Sequence, residues 1–420
     1  KLAEVRVVDV RTGAETVITN EPGHYFDPVF SPDGSKVVFG KVSGGFITDP
    51  LWSDEPGVYW APTDGSATPV KITTRGMRPQ FGPDNGRVYL TTDVAEQDRN
   101  RVSLISMNLD GTEQRTHFVS ENATQFRVSP DAKWCAFTER FNVYVTPMVD
   151  TGRAVDIGPK AAAFPLAKVS KDAGENLHWA GGSGDSATLH WSLGPTLYTR
   201  AMKDSFTFLE GAPEKPAEAV ASGVRIGWKQ PTAKPEGTIA FTHARVLTMK
   251  GDEAIEDAVV IVQGNRIRNV APMSAVSIDP ARMADIVIDC KGKTILPGFI
   301  DVHAHGPHGT QHGVVPQRNW GQYANLAFGV TTIHDPSNDT NTIFASSEMQ
   351  KAGLIVGPRT YSTGTILYGA AGNFKAEVES LDDARFHLRR MRAVGAFTVK
   401  SYNQPRRDQR QQILAAAKEL

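Results

Sequence analysis

The chain has 420 residues, 40% of them hydrophobic and 22% charged, enough apolar material for two packed domains and too much for a disordered chain. Forty-five basic against 46 acidic side chains leave a formal charge of −1, so no global field gathers nucleic acid or an anionic lipid surface. The longest apolar runs, such as Ala258 to Val262, fall far short of the roughly 18 residues that span a bilayer, and two cysteines are too few for a disulfide framework or a cysteine-based zinc site.

The first 200 residues carry two interleaved repeats. One is strand, tight turn, strand: Asp27-Pro-Val-Phe-Ser-Pro-Asp-Gly-Ser-Lys-Val-Val-Phe39, Arg78-Pro-Gln-Phe-Gly-Pro-Asp-Asn-Gly-Arg-Val-Tyr-Leu90 and Gln125-Phe-Arg-Val-Ser-Pro-Asp-Ala-Lys-Trp-Cys-Ala-Phe137, with a worn fourth copy at Leu189 to Tyr198. Pro then Asp, with Gly or Ala behind, suits a type I turn closing a hairpin. The other turns on Thr12-Gly13, Asp64-Gly65, Asp110-Gly111 and Thr151-Gly152. Two hairpins per period make a four-stranded blade, so residues 1–210 read as an incomplete β-propeller, with a β-sandwich as the alternative. Cys135 and Cys290 fall in β-like segments and read as buried thiols.

Residues 211–237 turn Pro-, Ala- and Lys-rich and read as a linker. Short strands between Gly-Asp and Gln-Gly-Asn turns follow over 238–294, a small β-sandwich unit. From 295 the pattern alternates: strands at 295–303, 329–335, 357–364 and 396–402, helices near 318–328, 341–352, 380–394 and 405–420. Alternating β and α units imply parallel strands, and four units in residues 295–420 amount to the first half of a (β/α)8 TIM-type barrel. The fold class is therefore multidomain, β followed by α/β. Lys1 is no initiator Met and Leu420 falls within a predicted helix, so the sequence reads as a fragment cut at both ends and inactive by itself.

His303-Ala-His305 is the sharpest chemical signal. Two His at i and i+2 on a strand point the same way and can reach one metal ion, with two hydrogen-bonded core histidines as the alternative, and Asp301 shares their face, where it can accept a hydrogen bond from one of the imidazoles. Lys400 ends the fourth predicted strand; a lysine in a barrel mouth must be paired, depressed in pKa or modified. Next to two divalent cations its neutral amine can take up carbon dioxide as a bridging carbamate; an unmodified active-site lysine and a salt-bridged structural lysine are the alternatives. Softer candidates for substrate contact are His308 and His312 in the Gly-rich loop, His334 and Asp335 at the end of the second strand, and Tyr402 beside Lys400. The Arg385 to Arg392 cluster reads as a solvated helix face.

The Ser-Pro-Asp-Gly blades resemble TolB-like propellers, which are found mostly in periplasmic or secreted proteins. Leu296-Pro-Gly-Phe-Ile-Asp-Val-His-Ala-His305, Phe328-Gly-Val-Thr-Thr-Ile-His-Asp335 and Val399-Lys-Ser-Tyr402 resemble the amidohydrolase superfamily, in its imidazolonepropionase- or prolidase-like branch. The resemblance implies a hydrolase of C–N bonds in amides, cyclic amides or peptides, with His303, His305 and Lys400 holding one or two divalent ions, zinc expected. It also implies a strand-eight aspartate as base, which lies beyond these residues, so no catalytic residue is assigned within them. The expected partner is a small-molecule or short-peptide substrate, gated or bound by the propeller, with a homo-oligomer left open. The rival readings are an envelope peptide- or protein-binding propeller on a degenerate barrel, and a prolidase-like Xaa-Pro dipeptidase.

Overall fold

The computed structural model describes residues 3–42, 54–96, 99–180, 186–306, 308–309, 315–370, 372 and 374–420. They group into two compact units, Lys1–Gly227 with Thr365–Leu420, and Trp228–Gly364. The chain is mostly β; the helices among the described residues are α1 (Trp320–Ala327), α2 (Thr340–Lys351), α3 (Leu381–Ala393) and α4 (Arg407–Glu419), besides short 3-10 turns. None is long and apolar enough to cross a membrane.

The first unit contains four larger sheets in chain order, beginning on the strands His24–Phe30, Met77–Phe81, Ala123–Val128 and Glu175–Ala180; they are antiparallel except that Val155–Asp156 joins the second in parallel beside Arg115–Ser120. Their turns are built as the sequence indicates. In the first copy Ser31 O accepts from Gly34 N at 2.9 Å, Ser31 Oγ donates to Asp33 at 2.6 Å, and Gly34 sits at φ 73°. The third copy repeats this with Ala132 forced to φ 54° where the first has glycine. All four glycines of the second repeat, Gly13, Gly65, Gly111 and Gly152, are left-handed as well.

The cores lie between consecutive sheets because strand residues alternate faces. Trp134 and Ala136 join Leu177, Leu189 and Trp191 of the fourth sheet, whereas their neighbours Cys135 and Phe137 join Leu104 and Phe118 of the second. Val38, Val58 and Ile72 of the first sheet likewise pack on Val88, Leu90 and Met107. Hydrogen bonds stitch the first strands together. Gln80 Oε1 accepts from Val128 N at 3.0 Å, and Trp179 Nε1 donates to Arg127 O at 2.9 Å. Four blade-like sheets therefore stack in sequence, but the described residues form neither a closed propeller nor a closed barrel.

Several elements depart from expectation. Leu189 to Tyr198 is a hairpin, but it joins the second and third strands of its sheet, Thr188–Leu193 and Thr196–Ala201, one step along from the other copies. Part of the 211–237 linker is ordered: Val224–Arg225 pairs with Thr196–Ala201, and Val220 bridges Ser170. The 238–294 segment is a single five-stranded sheet instead of a sandwich. The central strand Thr238–Leu247 pairs antiparallel with Ala254–Gln263 and parallel with Ile286–Asp289 and Thr294–Ile295. Both faces of this sheet bury apolar residues, Ala258 and Val260 on one and Val259 and Ile261 on the other.

The predicted strand 295–303 breaks in two. Pro297 has no N–H for a ladder, so Thr294–Ile295 stays with that sheet and Phe299–Asp301 opens a new one. This parallel sheet orders Phe299–Asp301, Val330–Asp335 and Arg359–Ser362, with α1 and α2 as the crossovers. The fourth strand shrinks to Ser401–Tyr402 and pairs with Leu367–Tyr368, in the first unit, where Leu388 of α3 and Ile413 of α4 pack with Leu367 and Val378. The 295–420 segment is thus divided at Gly364, and the expected four-stranded parallel sheet is a three-stranded sheet and a separate strand pair.

The Arg385 to Arg392 face is not uniformly solvated. Arg390 is 4% exposed, its guanidinium 3.6 Å above the Phe141 ring, with Nε donating to His387 Nδ1 at 3.2 Å. Arg389 pairs with Asp172 at 3.1 Å. Cys135 and Cys290 are buried free thiols, and burial pushes the Cys135 thiol up.

Candidate functional site

In the second unit the segment after Phe299–Asp301 is fixed at its backbone. His303 N donates to Asp301 Oδ1 at 3.0 Å, and Ala304 N donates to His334 O at 3.0 Å, extending the ladder by one rung. His303 and His305 therefore lie in the turn just past the strand, and Asp301 serves the backbone of His303 instead of accepting from an imidazole. The two rings still converge: their Nε2 atoms are 3.2 Å apart and the ring planes are 82° apart.

Asp335, the last residue of Val330–Asp335, is fully buried behind His305. Its Oδ1 accepts from His305 Nδ1 at 2.9 Å and from Ser337 N at 3.0 Å; its Oδ2 accepts from Asn338 Nδ2 at 2.7 Å. His308 is buried, with Nε2 3.5 Å from Asp335 Oδ2 and, among the described residues, neither ring nitrogen in a hydrogen bond of good geometry. Burial alone would raise the Asp335 carboxyl, but contacts with His308, Asn338, Ser337 N and His305 outweigh it and hold the group at about 2, ionised at neutral pH.

This arrangement fits a divalent ion at the histidine pair. A proton held on His305 Nδ1 by Asp335 leaves the Nε2 lone pair facing His303 Nε2, the usual carboxylate–histidine support of a metal ligand. Two imidazole ligands at about 2.0–2.1 Å from one tetrahedral ion lie roughly 3.3 Å apart, and the observed separation is 3.2 Å. Among the described residues no group of three His, Cys, Asp or Glu is arranged to hold a metal; the pair would supply two of the four ligands of a tetrahedral ion.

The structure brings His303, His305, His308 and Asp335 together. His334 contributes its carbonyl, to Ala304. Lys400 and Tyr402 belong to the other unit. There Lys400 Nζ is 5.3 Å from the Tyr402 ring centroid, its carbonyl accepts from Leu367 N at 2.9 Å, and Tyr402 stacks on Tyr368 at 5.7 Å. His312 lies outside the described residues. Sequence reasoning did not single out Ser337 or Asn338. Their signal is the polar run Ser337-Asn-Asp339 between the end of a parallel strand and the helix it feeds.

No family model matches this sequence. Short stretches of the chain are similar to imidazolonepropionases. The similarity is 37% over 79 residues to that of Rhizobium meliloti (strain 1021), covering 18% of this chain and 19% of the relative. It is 45% over 66 residues to that of Rhizobium rhizogenes, covering 16% of each. The matched part of the chain spans less than a fifth of the length of these curated relatives. A solved Xaa-Pro dipeptidase with bound methionine is similar at 16% identity and a TM-score of 0.36, over 43% of this chain and 54% of that one.

Proposed function

We propose that this chain carries part of a metal-dependent hydrolase of the amidohydrolase superfamily that acts on C–N bonds. The observation that carries the reading is the convergence of His303 Nε2 and His305 Nε2 at the carboxyl end of a parallel strand, with His305 held from behind by the ionised Asp335. Strand ends of this kind are where βα enzymes place their chemistry. The similarity to imidazolonepropionases supports a cyclic amide as the first substrate class to test, with Xaa-Pro dipeptides second.

A divalent cation held by His303 and His305, zinc being the expected ion, would supply Lewis acidity that activates water and polarises a carbonyl. Asp335 fixes the tautomer and direction of His305. Both of its oxygens are engaged, so it is not the general base. That role falls to the strand-eight aspartate implied by the family resemblance. Lys400 as a carbamate bridge and the stacked sheets as a substrate-binding or gating module belong to this reading. The rival reading is a binding protein on a degenerate barrel.

Zinc content by mass spectrometry and hydrolysis of cyclic amides and Xaa-Pro dipeptides, run on the whole protein, separate the two readings. The enzyme reading expects bound zinc, loss of both zinc and turnover in His303→Ala and His305→Ala, and the mass of one added carbon dioxide on Lys400. Metal content and activity unchanged in both variants would refute it.

A further inference from the structure

The 301–306 turn is a loop, and loops do not hold two rings at a ligating separation unless something outside them does. Two of its ties are local to the sheet: His303 N to Asp301 Oδ1 and Ala304 N to His334 O. The third comes from a residue 32 positions away. Asn338 Nδ2 donates to Gly306 O at 3.0 Å and to Asp335 Oδ2 at 2.7 Å, so one amide group uses both of its hydrogens on the site. The amide cannot flip without losing these bonds, because Asn338 Oδ1 accepts from Asp339 N at 2.9 Å. Asp339 in turn caps α2, its Oδ1 accepting from Thr342 N at 2.9 Å.

We propose that Asn338 is a positioning residue that sets metal affinity at the His303/His305 pair by tying the N-terminus of α2 to both the Asp335 carboxylate and the backbone beyond His305. This rests on the metal reading of the pair and adds to it the element that keeps the pair preorganised. Without Asn338, Asp335 Oδ2 loses its closest donor while buried, and the Gly306 end of the turn is released. His305 then holds its tautomer through one bond to a carboxylate that is itself free to rotate. Supporting partners of this kind are worth about 10–100-fold in metal affinity.

The test titrates the metal-free full chain with Zn2+ against a chromophoric chelator and records the Co2+ absorption spectrum, which reports ligand geometry. Asn338→Ala is expected to bind Zn2+ about 10–100-fold more weakly than the parent, with an altered Co2+ spectrum. Asp335→Asn, which keeps the shape and removes the charge, is expected to fall in the same range, and it stands in if Asn338→Ala does not fold. Asp339→Ala is the structural control: it removes the α2 cap but leaves the Asn338 amide in place, so it should lower the melting temperature and leave Zn2+ affinity within about twofold. Zn2+ binding by Asn338→Ala and Asp335→Asn as tight as the parent's overturns the inference and leaves the metal reading standing. So does an Asp339→Ala loss as large as theirs, since the effect would then be general loosening. A parent chain that takes up no Zn2+ overturns the metal reading, and the inference with it.

Discussion

His387 makes the stability of the first unit depend on pH. Desolvation, then the neighbouring Arg390 guanidinium, pull its imidazole from 6.5 down to about 3, against the opposing bond to Glu377 O. The hydrogen bonds give the same answer: Nδ1 accepts from Arg390 Nε at 3.2 Å and Nε2 donates to Glu377 O at 3.1 Å, a pattern only neutral histidine can make. Because the folded value lies below the unfolded one, protonation favours the unfolded chain. Stability is fully present above 6.5 and is lost as pH falls from there toward about 3. At pH 4.5, two units below the unfolded value, the loss is about 3 kcal/mol, at roughly 1.4 kcal/mol per unit. That figure depends little on the folded value, which lies below 4.5. His387→Gln can keep both hydrogen bonds and cannot titrate. Urea unfolding followed by tryptophan fluorescence is a suitable assay, since Trp60, Trp134, Trp179 and Trp191 all lie in this unit. The free-energy gap between parent and variant should move by about 3 kcal/mol in favour of the variant between pH 7.5 and 4.5. Carboxylates titrating over the same range act on both chains and cancel. A gap that does not change with pH would refute the reasoning.

Arg390 is buried and makes no ion pair among the described residues, and its Nη2 has no partner, so its charge costs stability. Arg390→Met keeps the stem against Phe141 and removes the buried charge, but it leaves His387 Nδ1 without its donor, so the two effects oppose and the unit should stay within about 2 kcal/mol of the parent in urea unfolding; a larger loss would show that the buried guanidinium stabilises the unit. The turn repeats allow a reciprocal pair. Ala132→Gly relieves a left-handed alanine and should stabilise by a few tenths to about 1 kcal/mol. Gly34→Ala should destabilise by about 1 kcal/mol through backbone strain alone, since nothing lies within 4 Å of an added Cβ. Equal signs for the two substitutions would contradict the shared turn geometry.

Much of the first unit is legible because its information is local. A Ser-Pro-Asp-Gly turn is specified by its own hydroxyl, carboxylate and glycine, and alternation along a strand such as Trp134–Glu139 says which residues must find different partners. Which partner is not local. The fourth hairpin copy keeps the composition but sits one strand further along. Likewise, β and α alternation indicated parallel strands near Lys400 but could not say that Ser401–Tyr402 would pair with Leu367–Tyr368.

The histidine site divides the same way. His303 and His305 are two residues apart, which marks them as a pair in the sequence, and their Nε2 atoms meet although the strand ends before them because Asp301, His334 and Asn338 tie the turn. Choosing between His334 and Asp335 needs the phase of a strand against its neighbour. The structure supplies this through Ala304 N on His334 O, which leaves the Asp335 carboxylate against His305 Nδ1. Asn338 is a further step removed, since its place depends on where α2 begins relative to a loop 32 residues earlier. The residues that would touch the metal are therefore the ones a sequence motif reveals. Those that would decide how tightly it is held are ordinary asparagine and aspartate at a strand-to-helix junction, and only the packed unit distinguishes them from a cap.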